Sequence, residues 1–150
     1  MINNPDKMWQ AFKAENKIDT DDYDVYSFGD ETMADELAEL VIMGRKKATC
    51  SLFCMYEITD EVLPKAGDYS IIPNAKGQPV CVIQDKSISI RAYKAIDEEI
   101  AFKEGEGDLT LTYWRKAHKD FWIKELSSVD LEFHEELKVV IEEFEVVYRR

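Results

Sequence analysis

Apolar residues recur every three or four positions in two early segments of the chain, and each segment carries a helix start signal. The first begins at Asn4, whose side chain can cap free backbone amides, and runs to about Asn16. In the second, Asp30 is the predicted cap and Gly44 the stop, because glycine readily adopts the left-handed conformation that ends helices. The apolar positions that define these helices are Trp9, Phe12, Met33, Leu37, Leu40 and Val41. We therefore predict two amphipathic helices, separated by an acidic loop over residues 17–28.

A third helix is predicted after an acidic segment that contains glycine. Residues 97–108 are rich in Asp and Glu and are interrupted by Gly105 and Gly107, so we expect them to form a loop. Asp108, at the end of this loop, can cap the helix that follows. The side chains expected to share one face of that helix are Leu111, Trp114, His118, Phe121 and Trp122.

Strand-like apolar runs occur at residues 47–54, 69–72, 80–91 and 138–148. Residues 74–77 are typical of a hairpin connection, and the polar residues 84–86 indicate a bulge within the long third run. The last run also fits helical spacing, but its many β-branched residues favour a closing strand. Because strands and helices do not alternate regularly, the predicted fold class is α+β, with a small curled sheet or barrel and flanking helices.

The charge of the chain restricts its partners. Its 150 residues carry 19 basic and 31 acidic side chains, which gives a net charge of −12. Proteins that bind long duplex nucleic acid normally use many cations to contact phosphates, so we expect a modified nucleoside or a short single-stranded RNA instead. No apolar run is long enough to cross a bilayer and the N-terminus lacks signal-peptide features, so we expect no membrane partner and a cytoplasmic location.

The cysteines and histidines do not predict a metal centre. Cys50, Cys54 and Cys81 lack C-x-x-C spacing and lie in apolar stretches, which is typical of buried reduced thiols. Neither His118 nor His134 has a second ligand at zinc spacing. We therefore predict neither a bound metal nor another cofactor.

The strongest candidate for chemistry is the turn after the second helix. Arg45, Lys46 and Lys47 are adjacent there, and Thr49 and Ser51 place hydroxyls where a core strand more often carries Val or Ile. The cations could simply complement the dipole of the preceding helix, or they could line a pocket for a base-like or anionic ligand. Because alternate residues of a strand share a face, Lys46 can meet Thr49 only if it still belongs to the turn.

Two further groups could contribute to such a pocket. Glu104, Glu106 and Asp108 alternate with glycines; acidic loops are usually only solvated, but this one could approach a ligand closely or hold a divalent cation. On the third helix, His118 is either a packing residue or a hydrogen-bond donor to a ligand that stacks on Trp114.

Taken together, seven motifs resemble the bacterial ASCH domain proteins. These motifs are Phe28-Gly29-Asp30, Ala34-Asp35-Glu36-Leu37, Gly44-Arg45-Lys46-Lys47-Ala48-Thr49, Gly67-Asp68-Tyr69-Ser70-Ile71, Glu104-Gly105-Glu106-Gly107-Asp108, Tyr113-Trp114-Arg115-Lys116-Ala117-His118 and Phe144-Glu145-Val146-Val147-Tyr148. They indicate a single ASCH domain, with a core over 28–150 and an N-terminal helix and loop extension over 1–27. The resemblance implies a PUA-like β-barrel with a cleft at the glycine-lysine turn, and an association with RNA.

The resemblance also implies an activity. Small bacterial members of the family hydrolyse the amide of N4-acetylcytidine with a Lys, a Thr three residues later and a Glu after the central strands, which here are Lys46, Thr49 and Glu104. The neighbouring candidates for substrate binding are Arg45, Lys47, Ser51, Trp114 and His118. Other members are described as metal-dependent ribonucleases. We therefore expect a hydrolase of an acylated cytidine or related nucleoside, with a non-catalytic RNA-binding module and a metal-dependent ribonuclease as the alternatives.

Overall fold

The computed structural model describes residues 4–149, which form a curled five-stranded sheet with flanking helices. The helices are α1 (Pro5–Asn16), α2 (Ala34–Ile42), α3 (Phe53–Ile58), α4 (Glu98–Glu104) and α5 (Leu111–Ser127). The strands are β1 (Asp24–Val25), β2 (Ala48–Leu52), β3 (Tyr69–Pro73), β4 (Pro79–Ala92) and β5 (Lys138–Arg149). The predicted α+β class, with a curled sheet and flanking helices, is confirmed.

The long strands β4 and β5 form the centre of the sheet. The strand order is β1-β3-β4-β5-β2, and every pair is antiparallel except β1 with β3. The register between β4 and β5 shifts between Asp85 and Ser87, at the predicted bulge. The edge strand β2 is hydrogen-bonded to β5, so the residues just before and within β2 take their position from the last strand.

Three apolar clusters hold the helices on this sheet. Helix α5 buries Trp114 and Trp122 against β2 and β5, and α2 buries Leu37 against β4 and β5. Helix α1 packs Trp9 against β3 and β4 within a separate cluster that contains Ile71 and Val82. The N-terminal helix therefore braces the sheet and does not cover the cleft described below. Among the helices of residues 4–149, none combines the length and apolarity needed to cross a bilayer.

Three predicted elements are wrong. The acidic loop predicted over residues 17–28 contains the short strand β1, which pairs with β3. The strand predicted to reach residue 54 ends at Leu52, and a short helix follows; a brief apolar run does not by itself distinguish the two structures. The acidic segment predicted as a loop contains α4. This helix starts because the Asp97 side chain accepts a hydrogen bond from the Ile100 amide, and because Ile100 and Ala101 are buried.

The first helix starts at its predicted cap, Asn4, whereas the starts of the other two predicted helices differ from the prediction. Helix α2 begins at Ala34, and Asp30 instead accepts hydrogen bonds from the Thr32 amide and hydroxyl. Helix α5 is capped by the Thr110 side chain, whereas Asp108 accepts from Thr110 in the preceding turn. Both aspartates therefore order the turn before the helix and do not cap the helix itself.

Candidate functional site

A cleft lies between α2, the start of β2, the end of α4 and α5, and contains about 500 Å³ of empty space, part of it open to solvent. Its polar lining is formed by Lys46, Thr49, Glu104, Glu106 and His118. Apolar and aromatic side chains from the segment before α2 and from α5 form the walls. A concave site with few polar groups and apolar walls is typical of small-molecule binding.

Lys46 lies in the turn between α2 and β2. Gly44 has a φ of +77°, and the amides of Arg45 and Lys46 both donate to the Leu40 carbonyl at 3.0 Å, which turns the chain back across the helix end. The backbone enters β2 at Ala48. Lys46 therefore still belongs to the turn, which is the condition under which it could share a site with Thr49.

The Lys46 ammonium is buried between two carboxylates. Its Nζ lies 2.5 Å from Glu104 Oε2 and 2.7 Å from Glu106 Oε2, and 3.3 Å from the Glu104 carbonyl. It also lies 5.1 Å from the centre of the Phe28 ring. Burial alone would lower the pKa of Lys46, but the two carboxylates outweigh burial and raise it. Lys46 is thus a fixed cation and not a proton acceptor.

Glu104 is buried and accepts hydrogen bonds on both carboxylate oxygens. In addition to Lys46 at Oε2, Trp114 Nε1 donates to Oε1 at 3.3 Å, and His118 Nε2 lies 3.0 Å from Oε1. Burial would raise the pKa of Glu104, but Lys46 and His118 lower it well below its usual value. Glu104 is therefore held as a carboxylate.

Glu106 contacts the same Lys46 ammonium as Glu104, but it differs from Glu104 in its exposure and in the direction of its pKa shift. Its side chain retains 14% of its exposure and faces the cleft. Burial raises the pKa of Glu106, and the neighbouring Glu104 carboxylate adds to that effect, while Lys46 opposes it. When this carboxylate pair binds a proton, Glu106 therefore holds it more stably than Glu104 does.

The glycines of the acidic segment allow a close approach of two backbones. Gly105 has a φ of +73°, and a Cβ atom there would lie 2.4 Å from the Arg45 carbonyl oxygen. A Cβ atom on Gly107 would lie 2.4 Å from the Tyr113 ring. Arg45 adds a hydrogen bond from Nη2 to the Gly107 carbonyl at 2.6 Å. The sequence predicted a close approach here, and the partner is the lysine turn itself.

The predicted site residues separate into two groups. Lys46, Thr49, Glu104 and His118 line the same cleft. Arg45 and Lys47 are exposed, and the Ser51 hydroxyl lies 2.8 Å from the Tyr56 hydroxyl, outside the cleft lining.

Trp114 does not have the position that a base-stacking role requires. It is 2% exposed and lies beneath the site, where its ring stacks on His118 at 4.2 Å and its nitrogen bonds Glu104. The expectation that Trp114 offers a free face to a ligand is therefore corrected. Sequence reasoning gave Glu106 only as a possible ligand for a cation, although its place two residues after Glu104 in the Glu-Gly-Glu motif was a usable signal.

One group of donor atoms has the spacing of a cation site. Single ligand atoms of Glu104, Glu106 and His118 lie within 4.8 Å of one another. The Lys46 ammonium already contacts both carboxylates, so a divalent cation would have to displace it. Asp108 is exposed and bonds Thr110. The arrangement therefore favours the Lys46 ammonium, and not a metal ion, as the cation of this site.

A second buried carboxyl pair lies outside the cleft. Asp85 on β4 is 4% exposed and Glu142 on β5 is 8% exposed. Burial raises the pKa of Asp85 to about 6, and burial together with Asp85 raises the pKa of Glu142 to about 9. No cation within residues 4–149 is among the groups that shift either pKa. This pair therefore holds a proton at neutral pH.

The sequence matches the ASCH domain family model over residues 24–148. The crystal structure of an ASCH domain from Lactobacillus crispatus is 30% identical with a TM-score of 0.89, and the match covers 96% of this chain and 94% of that one. A crystal structure of a protein from Enterococcus faecalis is 36% identical with a TM-score of 0.90, and the match covers 96% of this chain and 88% of that one. No curated protein matches the sequence significantly.

Proposed function

The chain belongs to the ASCH domain family, and from that premise we propose that its cleft hydrolyses the amide of an acylated nucleobase, with N4-acetylcytidine as the first substrate to test. The observation that supports this most directly is that one cleft combines a fixed cation, a hydroxyl and a carboxyl group with a raised pKa. These groups are Lys46, Thr49 and Glu106. Amide hydrolysis needs a nucleophile, a proton carrier and stabilisation of an oxyanion.

In the proposed reaction, the Thr49 oxygen attacks the acetyl carbonyl while Glu106, as a carboxylate, takes the hydroxyl proton. Glu106 then delivers that proton to the leaving amine as the carbon–nitrogen bond breaks. Water hydrolyses the resulting Thr49 ester and releases acetate, and the hydroxyl is restored. The products are the free nucleoside and acetate, with one water consumed.

Lys46 has an electrostatic role in this scheme. Its ammonium already has three acceptors, so it does not remove a proton from Thr49. A cation held in a buried position stabilises negative charge that develops nearby, and it needs no reorganisation during the reaction. The resemblance included Glu104 in the catalytic set, but the low pKa of Glu104 and its three donors favour Glu106 for proton transfer.

One wall of the cleft suits a flat, uncharged base. Phe121 of α5 lies at the cleft with 40% of its surface exposed, so its ring can contact a ligand. Aromatic side chains bind nucleobases by stacking, which depends little on the identity of the base. This supports a nucleobase amide as the substrate class.

The direct test is release of cytidine from N4-acetylcytidine by the purified protein. Glu106→Gln should lower kcat by about 100-fold or more, which is the range for loss of a proton carrier. Asp108→Asn is the matched control, because Asp108 lies in the same segment but is exposed, and its kcat should stay near that of the wild type. Absence of turnover by the wild type, or full turnover by the Glu106→Gln variant, would remove the proposal.

A second candidate function is binding of short single-stranded RNA without catalysis. A groove behind the lysine turn is lined by Lys47, Lys86 and Lys103, and Lys46 lies between this groove and the cleft. Lys86 and Lys103 are paired with Glu145 and Glu143 of the same groove, so Lys47 is the lysine we expect to contact a phosphate. This function would be favoured over hydrolysis if the protein binds short single-stranded RNA without forming product. The affinity should fall as the salt concentration rises, and it should be lower for Lys47→Gln than for the wild type.

A further inference from the structure

The imidazole of His118 has a hydrogen-bond acceptor at each of its nitrogens. Nδ1 lies 2.9 Å from the Trp114 carbonyl oxygen, and Nε2 lies 3.0 Å from Glu104 Oε1. A carbonyl oxygen only accepts, so Nδ1 carries a hydrogen. Glu104 also accepts from Trp114 Nε1 and from Lys46, an arrangement that suits a carboxylate and not a carboxylic acid. Nε2 then has to be the donor as well.

We propose that His118 is a permanent imidazolium, and that it is a positioning residue which keeps Glu104 ionised so that the exchangeable proton of the cleft resides on Glu106. Glu104 and Glu106, from the end of α4 and the following turn, are the titratable side chains that act on it, and Lys46 from the turn before β2 and the Cys50 thiol of β2 line the same cleft. The raised pKa of His118 agrees, since Glu104 outweighs the effect of burial.

The surroundings of the ring also suit a cation. His118 stacks on Trp114 with ring centres 4.2 Å apart and an angle of 18° between the planes, and Trp122 meets it edge-on at 5.0 Å. A cation over the face of an indole is attracted by the negative charge of the ring face. The packing therefore fixes the orientation of the ring, and the two acceptors fix its protonation.

The charge of the cluster then depends on Glu106 alone. Lys46 and His118 contribute two positive charges and Glu104 one negative charge, so the net charge is +1 when Glu106 is protonated and zero when it is not. The ligand class that fits such a site is a neutral amide on which negative charge develops during reaction. This consequence rests on the proposed hydrolase function, whereas the protonation state of His118 does not.

The protonation state can be measured without activity, because the chain contains only two histidines. In protein labelled with ¹⁵N-histidine, the ring nitrogens of His118 should both give signals of the protonated type at pH 7.5. The exposed His134 supplies a reference ring in the same spectrum, and His134→Gln assigns the two signals. A single-tautomer, neutral pattern for His118 at pH 7.5 would overturn the inference whether or not the protein turns over substrate.

Variants of Glu104 and Glu106 test which carboxylate keeps His118 protonated. Glu104→Gln should convert His118 to the neutral form at pH 7.5, because its charged partner is lost, whereas Glu106→Gln should leave it protonated. If both variants leave His118 protonated, Glu104 is not the group that holds the charge and the proposed positioning role fails. Circular dichroism verifies that each variant folds. If Glu104→Gln does not fold, Glu104→Asp, which withdraws the carboxylate from Nε2, should lower the pH at which His118 loses its proton, and an unchanged pH would contradict the positioning role.

A kinetic measurement tests the consequence for Glu106. His118→Gln keeps a donor near Glu104 but removes the positive charge, so the carboxyl pair should hold its proton to higher pH. The part of the rate–pH profile that reflects proton release by this carboxyl pair should shift to higher pH by roughly one unit, as expected when an adjacent opposite charge is lost. His134→Gln should not move it. An unmoved limb in His118→Gln would overturn the positioning role, while absence of turnover in the wild type would remove only the proposed function.

Discussion

The two buried carboxyl pairs of this protein are built in opposite ways. Glu104 and Glu106 share the Lys46 ammonium, and the pKa of Glu104 is lowered well below its usual value. Asp85 and Glu142 are buried to a similar extent, but no cation of residues 4–149 is among the groups that shift their pKa values, and the pKa of Glu142 rises to about 9. Burial alone therefore does not decide whether an acid is ionised; the counter-ions beside it do.

The difference separates a site from a structural feature. Keeping several charges in a buried cleft costs desolvation free energy, which well-packed apolar side chains would avoid. Such an arrangement is consistent with chemistry that needs the charge. A pair that avoids ionisation by holding a proton can contribute to stability only over the pH range in which that proton stays bound.

The largest effect is expected from Lys46→Met, which removes the ammonium shared by Glu104 and Glu106 and leaves the His118 imidazolium as the remaining counter-ion of Glu104. The free energy of unfolding at pH 7 should fall by about 3–5 kcal/mol, as found when one partner of a buried ion pair is removed. Lys47→Met is the control, since Lys47 is exposed and the change should stay within about 0.5 kcal/mol. Denaturant titration measures both. A loss below about 1 kcal/mol for Lys46→Met would contradict the assignment of Glu104 as a buried carboxylate.

The next effect concerns the backbone contact that brings Lys46 to its carboxylates. Gly105→Ala should destabilise the protein by about 3 kcal/mol, because the new Cβ meets backbone atoms that cannot move aside and φ is positive. Gly77→Ala has a similar φ of +79° but open space around the new Cβ, so its cost should be about 1 kcal/mol. Thermal or denaturant unfolding measures both variants. If both lose the same free energy of unfolding, the close approach of the two backbones at Gly105 does not contribute to stability.

The second pair should respond to pH in the opposite sense to an ion-paired acid. Glu142 keeps its proton up to about pH 9 in the folded state, whereas the unfolded chain releases it near the usual pKa of 4.5. The folded state thus binds more protons, and the contribution of Glu142 to stability falls as pH rises through that interval. Glu142→Gln should remove this dependence and raise the free energy of unfolding at pH 9 by about 2 kcal/mol.

Glu143 provides the contrasting variant for this measurement. Lys103 lowers the pKa of Glu143, so its contribution is present at neutral pH and is lost as pH falls through the folded-state pKa. Glu143→Gln should cost about 0.5 kcal/mol at pH 7, as expected for a partly exposed ion pair. If Glu142→Gln also destabilises the protein at pH 9, Glu142 is not held in the protonated form.

The smallest effect is expected at the donor beneath the cleft. Trp114→Phe removes the hydrogen bond from the indole to Glu104 and should cost about 1 kcal/mol more than Trp122→Phe, which makes the same change of ring on the same helix. Paired denaturant titrations at pH 7 measure the difference. If the two variants lose the same free energy of unfolding, the Trp114 indole contributes only packing, and Lys46 and His118 are enough to stabilise the Glu104 carboxylate.

Local sequence patterns were enough to place Lys46, whereas Glu104 was expected beside it only from the family resemblance. A glycine after an amphipathic helix and the alternation of strand faces fixed the turn locally, so the condition for Lys46 and Thr49 to share a site could be stated in advance. Glu104 lies 58 residues farther along the chain, and its contact with Lys46 depends on how α4 and β2 dock. No local pattern contains that information.

The missed elements have local causes of a different kind. Helix α4 has acidic residues in its first turn, where they favour the helix dipole, but the same composition also suits a loop. The second carboxyl pair depends on the register between β4 and β5, which shifts at the bulge next to Asp85. A position for the bulge could be predicted, whereas the residue on β5 that it brings close to Asp85 could not.

The edge position of β2 has a consequence for how the cleft comes into existence. This strand is hydrogen-bonded to β5, and the Phe144 amide donates to the Lys47 carbonyl beside the lysine turn. During synthesis on the ribosome, the first half of the chain therefore emerges without the neighbour that fixes Lys46 in place. We therefore expect the charged cluster to assemble only after β5 has left the exit tunnel.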